Sequence, residues 1–215
     1  DDQLQTAEEH RLLFEVGRDA LHMRAAIRGA KAGLGRGIVD AESVFPVLPL
    51  PRSTRNGAAE DAMVLALSRQ ESEFYASAVS SANARGLMQM IPRYARVEAS
   101  RVGVPFRESW LTDDPIYNLR LGRGFLDELV DQFNGSYVLA ACAYNAGPSR
   151  ARQWIRELGD PRSPGVDVVD WVEQIPFGET RNYVQRVLEN TQVYRHRLTG
   201  EPAQIQLSRD LKRGG

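Results

Sequence analysis

Apolar positions recur with a helical period along most of the chain, and the breaks between periodic stretches are marked by Gly, Pro and Asn. Thr6 and Glu9 have the spacing of a capping box, and Leu12, Leu13, Val16, Ala20, Met23 and Ile27 follow at helical intervals, which predicts a helix or helix pair. Gly33, Gly35 and Gly37 predict its end. Residues 44–51, with Pro46, Pro49 and Pro51, read as an extended linker. A polar loop follows, and a boundary falls near residue 57. Beyond it the spacing predicts helices over 60–74 and over 118–133, the second carrying Leu119, Gly122, Leu126, Leu129, Val130 and Phe133 on one stripe. Asn134-Gly135 supplies a stop, and Ser136 a cap for a segment over 137–144 that is apolar all round and therefore belongs at a centre. A helix bearing Trp154, Ile155 and Leu158 comes next, then a loop over 165–176 with a short turn at Trp171 and Val172, then a long helix over 180–198 ended by Gly200 and Pro202. No run alternates as a strand does. The fold class is mainly α: a helical segment over 1–57 ending in a Pro-rich linker, a helical domain over 58–200, and a C-terminal tail over 201–215.

Composition narrows the function. The 215 residues are 42% hydrophobic and 26% charged, with 27 basic against 28 acidic side chains and a formal net charge of -1. All basic residues except Lys31 and Lys212 are Arg. A nucleic-acid partner is not expected, because phosphate contacts call for a basic excess or a clustered Lys/Arg stripe, and no such stripe is apparent in the sequence. No apolar run reaches the ~18 residues of a membrane span. The sequence opens on Asp-Asp-Gln, with neither an initiator Met nor a signal peptide, as a processed product or a piece of a longer chain would. Cys142, inside Leu-Ala-Ala-Cys-Ala-Tyr, reads as a small buried apolar residue.

Glu71 is the informative residue. Steps of four from Met63 reach Leu67 and then Glu71, so a carboxyl sits on an apolar stripe. There it either finds a cation, with Arg69 and Arg85 nearest in sequence, or raises its pKa and keeps a proton to give as a general acid. Glu179, after Phe177-Gly178 at the start of the last helix, is placed where the helix dipole keeps a carboxylate ionised. Gly86-Leu87-Met88-Gln89 reads as a loop with a close backbone approach at Gly86 and an amide suited to hydroxyl and N-acetyl groups. Tyr144 and Asn145 end the central helix, where they can face a ligand or simply close the helix end. The three His do not lie at metal-ligand spacing, so no metal and no cofactor is expected. Nucleophile elbows, phosphate loops and dinucleotide fingerprints are missing from the sequence. Trp110, Trp154 and Trp171 could stack on sugars, but their helical positions read as core.

Read in order, Ala66-Leu67-Ser68-Arg69-Gln70-Glu71-Ser72, Gly86-Leu87-Met88-Gln89, Ala143-Tyr144-Asn145-Ala146-Gly147 and the stretch from Ile175 to Val184 resemble the soluble lytic transglycosylases, whose catalytic domain is lysozyme-like and close to goose-type lysozyme. Asp114-Pro115 with Asn118 is similar to that family's structural turn. The resemblance implies cleavage of the β-1,4 bond between N-acetylmuramic acid and N-acetylglucosamine in peptidoglycan, leaving 1,6-anhydromuramyl ends, with Glu71 as the single catalytic acid. It further implies that Ser80, Gln89, Tyr144, Asn145 and Glu179 line the cleft or orient what binds there. A periplasmic setting, glycan strands as partner, and cell-wall or secretion-machinery proteins as possible associates go with it. The alternatives are a hydrolytic goose-type muramidase, which needs a second carboxylate from among Asp113, Asp114 and Glu179, and a catalytically silent peptidoglycan-binding module.

Overall fold

A computed structural model describes residues 6–19, 23–38, 40–53, 55, 59–200 and 204–215. Among these, twelve helices account for the regular structure: α1 Ala7–Asp19, α2 Met23–Gly35, α3 Ala41–Val44, α4 Asp61–Ser72, α5 Pro92–Arg101, α6 Trp110–Asp113, α7 Pro115–Gln132, α8 Tyr137–Ala146, α9 Pro148–Leu158, α10 Val168–Glu173, α11 Gly178–Thr199 and α12 Leu207–Leu211. Among the described residues, strand-like pairing is limited to the bridges Val79 to Arg85 and Arg85 to Met90.

The helical signals act through visible hydrogen bonds. Thr6 N donates to Glu9 Oε2 at 2.9 Å and Glu9 N to Thr6 Oγ1 at 3.2 Å, closing the capping box. The periodic stretch is a pair, α1 and α2; Ala20 lies outside the described residues, as does Pro202. Helix α2 continues through Gly33 and ends at Gly35, the second of the three glycines expected to stop it. Gly33 is there for space: a Cβ would meet the buried His10 ring at 2.7 Å.

Helix α7 begins three residues before the expected start, because Asp114 caps it, accepting from Tyr117 N at 2.9 Å, and Pro115 takes the first position. Helix α4 stops at Ser72, since Glu73 and Phe74 turn into the left-handed region with φ of 52° and 58°. The helices α3, α5, α6 and α12 are not marked in the sequence reading; α10 forms where only a turn is expected, because Asp167 accepts from Val169 N and Asp170 N.

Helix α8 is buried from Tyr137 to Ala143 and occupies the centre, with Cys142 wholly enclosed. Helix α11 runs between α4 and α8. Trp154 and Trp171 are core residues, and Trp110 packs edge-on to Tyr117. Residues beyond 204 dock on α8 and α11: buried Asp210 accepts from Arg195, which also pairs with Glu60 ahead of α4. This clamp joins the ends of α4 and α11, the two helices that carry the site.

Candidate active site

The site is built where α4 ends against α11. Glu71 Oε1 accepts a hydrogen bond from Tyr183 Oη at 2.6 Å. Neither of the cations nearest in sequence reaches it: the Arg69 guanidinium lies 4.4 Å over the Phe45 ring, and Arg85 pairs with Glu108 at 3.2 Å and Asn83 at 3.0 Å. The buried ion pair is thereby excluded as the reason for a carboxyl on this stripe. Glu71 keeps some surface toward a depression of about 470 Å³, while its carboxyl is otherwise hemmed in by protein. Burial raises its pKa from the ordinary 4.5 to about 7, against the hydrogen bond from Tyr183, which favours the charged form; the negative Glu179 adds to the rise. Tyr183, pushed well above its ordinary value by burial and by Glu71, stays a donor at any working pH.

Beside Glu71 runs the loop over 78–90, held from three helices. Ser72 Oγ donates to Leu87 O at 2.8 Å. Tyr144 Oη, on α8, donates to Met88 O at 2.8 Å. Buried Asn118, on α7, accepts from Met88 N at 2.8 Å and donates to Arg85 O and Leu111 O, both at 2.9 Å. Gly86, at φ 75°, passes so close that a Cβ would stand 2.0 Å from Leu111 O and 2.2 Å from Asn118 Nδ2, which is the close approach expected at that glycine. The bonds from Ser72, Asn118 and Tyr144 all come from buried or half-buried groups, so they fix the loop as a wall.

The expected site residues divide between two adjoining depressions. Glu71, Ser80 and Gln89 line the first; Gln89, Tyr144 and Asn145 line a second of about 270 Å³, together with Tyr94, Phe125 and Pro148. Gln89 therefore stands where the two meet. Its amide nitrogen donates to Gly86 O at 2.9 Å, leaving its side-chain oxygen as the group open to a ligand. Ser80 Oγ accepts from Ala84 N at 3.0 Å, which leaves its hydroxyl proton to be donated. Asn145 Oδ1 accepts from Thr180 Oγ1 at 2.6 Å and so ties the end of α8 to the first turn of α11. Glu179 is exposed in that turn and lines neither depression; it reaches Glu71 through its charge. Asp114 is used as a helix cap, and Asp113 accepts from Thr112 Oγ1 away from Glu71.

Two residues of the site have no role in the sequence reading, which places Tyr183 only on the inner side of the last helix. Tyr183 lies four positions after Glu179 on the buried stripe of α11, and that spacing was the available signal. Glu73 is the second carboxyl lining the first depression. Burial alone would raise it, but hydrogen bonding and charge from Lys31, with the charges of Arg69 and Arg28, hold it below its ordinary value. Among the described residues no group of three or more His, Cys, Asp and Glu could hold a metal ion.

Fold and site together define a lysozyme-like helical domain with one proton-holding carboxyl at the floor of its cleft. Residues 52–163 match the family model described as the transglycosylase SLT domain, and residues 174–202 match that of the soluble lytic transglycosylase helical domain. The chain belongs to the transglycosylase SLT family. It is 36% identical over 146 residues to the soluble lytic murein transglycosylase of Salmonella typhimurium, an alignment covering 67% of this chain and 22% of that protein. Its structure is similar to that of the 70 kDa soluble lytic transglycosylase of Escherichia coli, with TM-score 0.81 and 27% identity over 99% of this chain and 34% of that one. It is also similar to an inactive glutamate-to-glutamine mutant of the lytic transglycosylase Slt from Pseudomonas aeruginosa, with TM-score 0.75 and 33% identity over 92% of this chain and 31% of that one. The chain thus spans a fifth to a third of the length of these relatives.

Proposed function

We propose that this chain is a peptidoglycan lytic transglycosylase, cleaving the β-1,4 bond between N-acetylmuramic acid and N-acetylglucosamine with formation of 1,6-anhydromuramyl ends. The observation that carries the reading is Glu71: a carboxyl with a pKa of about 7, bonded to Tyr183, at the floor of the cleft. Glu71 gives its proton to the glycosidic oxygen as the bond from muramyl C1 breaks, releasing the 4-hydroxyl of N-acetylglucosamine. The C6 hydroxyl of the same muramyl ring then bonds to C1, and the Glu71 carboxylate takes up the C6 proton. No water is consumed and the carboxyl is restored. A group that must give and retake one proton near neutrality works best with a pKa close to 7. Tyr183 steadies the carboxylate between the two transfers. Ser80 and the Gln89 oxygen are positioned to hold the N-acetyl and hydroxyl groups, while Tyr144, Asn145 and Glu179 keep the walls and the charge around Glu71. The activity resides in residues 58–200, with 1–57 and 201–215 flanking it, and the periplasm is the proposed place of work.

The muramidase alternative needs a second carboxylate acting as base or nucleophile. Glu73 is ionised and nearby, but a carboxylate held low by several cations is a poor base. Incubation with purified sacculi, followed by borohydride reduction and mass spectrometry, tests the proposal. Non-reducible anhydromuropeptides are expected, lost by at least ~100-fold in E71Q, the scale of general-acid catalysis. Reducible muramic acid ends would transfer the activity to a hydrolase, and unchanged turnover in E71Q would remove Glu71 from it.

A further inference from the structure

Residues 23–39 contain no acidic side chain, yet Arg24, Arg28 and Lys31 stand at i, i+4 and i+7 on one face of α2. That face leans on the end of α4. Lys31 Nζ donates to Glu73 Oε1, and Arg28 Nε and Arg24 Nε lie 3.8 and 3.9 Å from Glu73 Oε2. One carboxylate, which also carries the charge of Arg69, therefore faces three cations whose side chains are 45%, 66% and 41% exposed in chain order. Like charges one turn apart repel, so the cluster holds positive charge in excess of what Glu73 answers. Arg24 is further steadied over the Tyr75 ring at 5.4 Å. Arg24, Lys31 and Tyr75 line the same depression as Glu71 and Ser80, so the cleft has one neutral, proton-carrying wall and one cationic wall. The overall charge of -1 hides this local excess, and all three cations lie outside the segment matched by the transglycosylase domain model.

We propose that Arg24 and Lys31, on the cleft edge of this α2 face, form a carboxylate-binding wall of the cleft, taking the peptide stem carried by the muramyl residue next to Glu71. The identity of the ligand rests on the transglycosylase reading; the cationic wall does not. Exposed guanidinium and ammonium groups grip carboxylates through charge-assisted hydrogen bonds, and each exposed pair contributes modestly, so several must act together.

Equilibrium binding to the full chain bearing E71Q, which stops turnover, compares three probes: glycan strands with native stems, strands stripped of stems by an amidase, and strands whose stem carboxylates are amidated. Native strands are expected to bind roughly tenfold tighter than the other two at low salt. Adding R24Q and K31Q should abolish the preference, R24K and K31R should keep it, and rising salt should shrink it. Equal binding of all three probes, no binding of any, or a preference that survives R24Q and K31Q would overturn the proposal. The product assay on the wild type separates the two claims. Stem preference without anhydro products sinks the activity reading alone, and anhydro products without stem preference sink this inference alone.

Discussion

Replacing Glu71 by Gln should stabilise the protein, and only on one side of a pH window. A carboxyl moved from 4.5 to about 7 by folding corresponds to about 3 kcal/mol of stability that depends on its protonation. Below pH 4.5 the carboxyl is neutral in both the folded and the unfolded chain, and wild type and E71Q should be nearly equal. Between pH 4.5 and 7 the unfolded chain releases its proton first, so wild-type stability falls as pH rises. Above about 7 both states are ionised and the full ~3 kcal/mol has been lost from the wild type, whereas the Gln amide has no charge to desolvate and still accepts from Tyr183. For a chain of this length ~1 kcal/mol moves Tm by roughly 2–4 °C, so E71Q should melt some 6–12 °C higher at pH 8.5 and at nearly the same temperature at pH 4. Paired melts every half pH unit supply the test, because titrations elsewhere in the molecule cancel in the difference. A gap that does not vary with pH, or one that opens on the acid side, would refute the claim that burial raises this carboxyl.

Tyr183→Phe removes the hydrogen bond that favours the carboxylate, so the pH at which activity falls on the alkaline side should move up, with about 1–3 kcal/mol of stability lost above neutrality. Glu179→Gln removes a negative charge that favours the protonated form, so the same limb should move down; pH–rate profiles of the two variants that shift in the same direction would contradict the assignment. Gly86→Ala places a Cβ against Leu111 O and Asn118 at a positive φ and should lower stability by about 3 kcal/mol in urea titrations. Burial raises the Cys142 thiol far above its ordinary value, so the native protein should resist thiol reagents until it is unfolded; rapid native labelling would show that the helix is not packed as described.

Much of this arrangement was legible in the sequence because the signals were local. The capping box, the Asn134-Gly135 stop and the all-apolar α8 each depend on residues a few positions apart, whereas the Asp114-Pro115 start of α7 was read only as a turn. Glu71 stood out because its stripe was otherwise apolar. Its partner did not, because Tyr183 is 112 positions away and joins Glu71 only once α11 packs on α4. Asn118 could be noticed as part of a turn, but its two bonds to the cleft loop and its third to Leu111 arise from the tertiary fold. The basic face of α2 was written at helical spacing, yet a balanced net charge concealed it. Its meaning depends on Glu73, which the helix end turns toward α2 through a left-handed residue that no pattern announces.

The role proposed for Glu71 turns on where the new bond to muramyl C1 comes from. Digestion of sacculi in oxygen-18 water, followed by mass spectrometry of the released muropeptides, reads this in one measurement. The prediction is anhydro ends carrying no solvent oxygen, with Glu71 returning to its protonated form after each cycle. Muramyl ends that carry one oxygen-18 atom would contradict it, since water rather than the C6 hydroxyl would then have closed the reaction.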